Sequence, residues 1–126
     1  MTFNPAAAYQ GSKINTATPA DLTLMLYEGA IKFCNIAITG INENDIMKAH
    51  NNIIKAEKII TELRSTLDHK YPVAKEFDTV YDYIYQRMVE ANISKDKDIL
   101  EEVLEHLRGM RDTWKEVMKT ARAGSN

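Results

Sequence analysis

Between Asp21 and Ile41, apolar side chains occupy most of the circumference of the helix that their spacing predicts. At about 100° per residue, Leu22, Met25, Leu26, Gly29, Phe33, Ile36 and Ala37 fall on one face, and Leu24, Tyr27, Ile31, Cys34, Ile38 and Ile41 gather on another. Glu28, Lys32, Asn35 and Thr39 leave only a narrow polar wedge. Such a helix is either buried on two sides within its own chain or shows one face to a partner.

The helix begins at Thr18-Pro19-Ala20-Asp21, where Thr18 can cap, Pro19 suits the first helical position and Asp21 can reach back. Gly40 and the polar run Asn42 to Asp45 supply the stop and the turn. A second helix, about 45–67, carries a seam of Ile46, Ala49, Ile53, Ala56, Ile60, Leu63 and Leu67, with Met47 and Ile54 lying off it. Pro72 opens a third, about 72–93, with Val73, Phe77, Val80, Ile84, Met88 and Ala91 as its inward seam and Tyr81 and Tyr85 at its edge, hydroxyls towards water. The fourth, about 97–121, has Asp96 as its expected cap and Leu100, Val103, Leu107, Met110, Trp114 and Val117 on one side. Similar lengths and short turns predict an all-α fold: an antiparallel up-down four-helix bundle over 18–122, preceded by an N-terminal tail (1–17) and ending in a frayed 123–126. The tail holds Phe3, Tyr9 and Ile14 as isolated apolar anchors among residues that break regular structure.

The apolar arc of the fourth helix spans about 140°, that of the first about 260°. Membership of a bundle explains the first figure and only part of the second. The leftover face is therefore the expected partner-binding surface: Leu24, Tyr27, Ile31, Cys34 and Ile38, extended by Met47 and Ile54 on the second helix and approached by Tyr9 and Ile14 from the tail. An amphipathic helix laid in a groove, with the tail competing for it, fits that pattern. A homodimer seam is the alternative occupant.

Composition narrows the choice. The 126 residues suit one domain, and a formal charge of -2 gives no global attraction to nucleic acid or anionic lipid. The single cysteine, Cys34, excludes an intrachain disulfide, points to a reducing cytosol, and reads as a small buried apolar residue. No secretory signal is visible, and no stretch is expected to cross a membrane.

Catalytic chemistry finds no support either. A di-iron bundle needs Glu-x-x-His pairs, whereas Met47, Thr66 and Val103 stand three residues before His50, His69 and His106. There is no glycine-rich phosphate loop, no nucleophile motif and no acidic pair within a seam, so neither an enzyme nor a metal or other cofactor is expected. The cations Arg108, Arg111, Lys115, Lys119 and Arg122 follow Glu101, Glu102 and Glu105 along the fourth helix, an order that complements the helix dipole.

Several strings, taken in order, carry a resemblance. Ala8-Tyr9-Gln10, Asn15 to Pro19, Leu24 to Phe33, Thr66-Leu67-Asp68, Tyr81-Asp82-Tyr83, Glu90 to Ile93 and Arg111 to Lys115 together resemble the flagellar export chaperone FliS family over nearly the whole chain. The resemblance implies a helical bundle in the bacterial cytosol that binds the disordered C-terminal segment of flagellin, prevents its premature polymerisation and delivers it to the flagellar secretion apparatus. It also implies that the N-terminal segment folds against the apolar surface when flagellin is absent.

Overall fold

The structure is a computed structural model, and it describes residues 18–124. Four helices follow one another: α1 (Pro19–Asn42), α2 (Ile46–Ser65), α3 (Val73–Ser94) and α4 (Lys97–Gly124). The last runs past the expected stop near 121. The expected tail, with Tyr9 and Ile14, lies outside the described residues.

Each helix packs on two neighbours, α1 on α2 and α4, and α3 on the same two, which closes a square ring. Cross-helix pairs give the directions. His50 meets Asn92 and Arg64 meets Asp78, Arg87 meets Glu102, and Trp114 reaches Ala20, so every adjacent pair runs antiparallel. The starts of α1 and α3 and the ends of α2 and α4 consequently share one end of the bundle.

The start of α1 is fixed by a complete capping box: the Thr18 hydroxyl accepts from the Asp21 amide at 3.1 Å, and the Asp21 carboxylate accepts from the Thr18 amide at 3.1 Å. Its other end differs from expectation. Gly40 does not stop the helix, which continues to Asn42; a Cβ there would stand 2.8 Å from the Ala49 amide nitrogen, so glycine is required for close passage of α2. Asn44 makes the turn with a φ of 58°, and Asp45 caps α2 by accepting from the Lys48 amide at 3.0 Å.

The interior answers the question posed by α1. Ala30, Cys34 and Ala37 are fully buried, as are Ala49, Ile53 and Ala56 of α2, and the two helices approach closely where Gly40 passes the backbone of Ala49. The first predicted face is covered as well: Leu26 and Phe33 are buried, and Lys32 and Lys55 lay their cations 5.8 and 5.3 Å from the centre of the Phe33 ring. By length and composition α1 could cross a membrane, with a mean hydropathy of 1.3 over its best window, contrary to the expectation that no stretch would qualify. Here that composition serves burial against two neighbours.

Candidate partner-binding cleft

The predicted leftover face of α1 does not exist as a surface. Tyr27, Ile31 and Cys34 belong to the core cluster, and Ile38 and Ile41 pack against it half-buried. Burial drives the Cys34 thiol up to about 12, which leaves it an inert apolar filler. Leu24 is half-buried in a shallow depression with Asp21, Lys115, Met118 and Lys119. Met47 and Ile54 sit towards the opposite end, Met47 63 % exposed and Ile54 half-buried beside His50, Asn92 and Ile93. The described members of the predicted set thus do not form one patch.

The surplus apolar surface lies elsewhere. On α3, Val73, Phe77 and Val80 are 48, 37 and 36 % exposed, while Ala74 and Tyr81 take the inward positions expected of them. The cause is in the spacing. Ala74, Phe77, Tyr81, Ile84, Met88 and Ala91 alternate steps of three and four, a more regular seam than one that starts at Val73 and passes through Val80. Tyr81 can enter the interior because its hydroxyl hydrogen bonds to that of Tyr27 across the bundle. Burial holds both phenols above their ordinary titration range.

With Tyr81 turned inward, the start of α3 stands off from α1 and α4 and a cleft opens between them. Its first compartment, about 510 Å³, has Leu22, Leu26 and Tyr27 on one wall and Val73, Phe77 and Tyr71 on the other. A second, about 370 Å³, continues between Phe77 and the α4 residues Gly109, Met110, Trp114 and Val117. Tyr27, Phe77 and Trp114 border both compartments, which places them side by side. The indole of Trp114 is held in place by donating to the Ala20 carbonyl at 3.0 Å.

Helix α3 is kept in place along its length by polar ties as well as by packing. Arg64 of α2 donates to Asp78 at 2.9 Å and to Asp82 at 3.4 Å, and Arg87 donates to Glu102 of α4 at 2.7 Å, with the Tyr83 hydroxyl on the same carboxylate at 2.8 Å. The Arg64 hydrogen bond holds Asp78 below the usual carboxylate range, and those from Arg87 and Tyr83 do the same for Glu102.

Chemically, the cleft offers apolar area and little else. Among the described residues, the charged side chains that line it are the acids Glu62, Asp68 and Glu105, with no lysine or arginine. Among the described residues, no buried side-chain polar atom lacks a hydrogen-bond partner, and no group of His, Cys, Asp and Glu is arranged to hold a metal ion. Such a site suits the apolar face of a polypeptide segment better than a polar small molecule that must be oriented.

Comparison with known proteins follows the chain as a whole. The family model described as "Flagellar protein FliS" matches residues 2–121. The flagellar secretion chaperone FliS of Bacillus subtilis (strain 168) is 42 % identical over 119 residues, covering 94 % of this chain and 90 % of the relative. The protein of the same name from Campylobacter jejuni is 30 % identical over 87 % of this chain and 88 % of its own length. That of Salmonella typhimurium is 28 % identical, with coverages of 87 and 84 %.

Proposed function

Because the chain belongs to the FliS family of flagellar secretion chaperones, we propose that its cleft binds the C-terminal segment of flagellin in the bacterial cytosol, keeps that segment from polymerising and presents it to the flagellar secretion apparatus. The observation that carries this reading is the uncovered apolar wall of Val73 and Phe77, which lines the cleft together with Tyr27 and Trp114 at one end of the bundle. An apolar strip of this kind is a docking surface for an amphipathic segment.

The physics suits a chaperone. A client that folds as it binds loses ordering entropy, so it is held through its apolar side chains and still released without covalent chemistry or a nucleotide. Of the residues that the sequence pointed to, Tyr27 belongs to this site as part of its floor. Tyr9 and Ile14 belong to the proposal as competitors: the chain that carries them enters α1 at Pro19, on the rim of the cleft. A dimer through the second face of α1 loses its rationale, since Ile31 and Cys34 are covered by the chain itself.

The test is a calorimetric titration with a synthetic peptide of the flagellin C-terminus. Phe77→Ser should weaken binding by about a hundredfold, the loss of one central aromatic anchor, with helicity retained. Unchanged affinity in a folded Phe77→Ser protein would remove the cleft from consideration. Deleting residues 1–14 should leave a folded bundle that binds the peptide more tightly.

A further inference from the structure

Gly40 and Gly109 both lie inside helices, and their surroundings are opposite. Gly40 is wedged against the α2 backbone, whereas a Cβ placed on Gly109 would meet no atom within 4 Å. Gly109 has helical backbone in the middle of α4, where glycine is the least favourable residue after proline and alanine the most favourable. Neither a positive φ nor a close neighbour demands it. Gly109 is exposed, and it lines the second compartment of the cleft together with Tyr27, Phe77, His106 and Trp114.

We propose that Gly109 is a notch in the α4 border of the cleft, which admits one large apolar side chain of the docked client close to the backbone of α4. This rests on the reading of the cleft given above and names its specificity-determining residue. The occupant is an amphipathic segment with a leucine-sized residue at the notch and lysine or arginine beside its apolar face. Charge complementarity selects that occupant: among the described residues Glu62, Asp68 and Glu105 border the cleft, no lysine or arginine does, and of these three acids Asp68 alone is approached by a lysine, Lys70 at 3.7 Å. A notch also explains why a residue that weakens α4 stands at a position where the fold has room for any small side chain.

The experiment uses the full chain and the flagellin C-terminal peptide as probe, with Gly109→Ala, Gly109→Leu and Phe77→Ser measured side by side. Gly109→Ala should raise the melting temperature by about 3 to 6 °C, because helix propensity improves and nothing is displaced. The same variant should bind the peptide about tenfold more weakly, and Gly109→Leu more weakly still, because the added atoms fill the notch. If both Gly109 variants bind like the parent while Phe77→Ser does not, the notch is refuted and the cleft stands. If all three bind like the parent, the cleft is not the docking surface and the notch falls with it.

Discussion

Helix α1 and the first half of α3 both carry more apolar side chains than one neighbour can cover, and the bundle treats them in opposite ways. Around α1, the small residues Ala30, Cys34 and Ala37 are fully buried and the helix is sealed between α2 and α4. At the start of α3, Val73, Phe77 and Val80 stay at the surface, and the helix is moored through Arg64 to Asp78 and Asp82 and through Arg87 to Glu102. The starts of the two helices differ in the same sense. A capping box anchors α1, whereas α3 begins at Pro72 without any side-chain cap. Apolar surplus alone therefore does not locate a binding surface. What decides is whether small residues on the neighbouring helix let it come close enough to use that surplus.

The sharpest way to break this comparison is to place the same charge on each side of it. Ile31→Asp should destabilise the fold by about 4 kcal/mol or more in urea denaturation, because the carboxylate would be buried without a partner. The pattern of the sequence implied the contrary, a surface position where a charge leaves helicity intact, so this variant separates the two readings. Val80→Asp, on the exposed wall, should cost about 1 kcal/mol or less. Equal losses at the two sites would dissolve the distinction.

Gly40→Ala tests the close approach that seals α1. The added Cβ meets the backbone nitrogen of Ala49, which cannot swing aside as a side chain would, and a loss of about 1 to 3 kcal/mol in thermal or chemical unfolding is expected. A neutral result would mean that α2 yields easily and that the close passage at Gly40 is not what closes this side.

The mooring of α3 predicts the smallest effect, a dependence on acid. Asp78 and Glu102 titrate lower in the folded chain than the unfolded values near ~4. Their contribution is complete above those unfolded values and disappears as pH falls through the folded ones. Glu57 works in the other direction: burial raises its pKa, so its contribution favours the fold in acid and fades as pH rises through the raised value. Arg64→Gln and Arg87→Gln should flatten the acid limb of stability against pH, with little change in helicity at neutral pH. A limb as steep as the parent's in both variants would show that these pairs do not moor α3.

Much of the fold could be read from the spacing of apolar residues. The four helices, the Thr18 capping box and the seams of α2 and α4 follow from local chemistry, although Ile46 is exposed and Leu104 joins the core from outside the expected α4 seam. The binding surface was harder to read, for two physical reasons. Valine outranks alanine in any hydropathy argument, which puts the seam of α3 one position off at Val73 and again at Val80, although the alternation through Ala74 and Tyr81 is more regular. A buried hydroxyl needs a partner, which argues for Tyr81 at the edge, and no local pattern reveals that Tyr27 supplies that partner from across the bundle. For α1, the signal of burial on both sides was the recurrence of Ala30, Cys34 and Ala37 at steps of four and three, which marks close helix approach rather than an open face.

The central claim places the client at the Pro19 end of the bundle, between α3 and α4. Methyl NMR of the full chain during addition of the flagellin C-terminal peptide addresses it most directly, because the exposed methyl groups of the two ends are different residues. The account predicts shifts concentrated at Val73 and Val117, which line the cleft, with Met47 and Ile93 at the far end unmoved. Shifts concentrated at Met47 and Ile93, with the two valines silent, would contradict it.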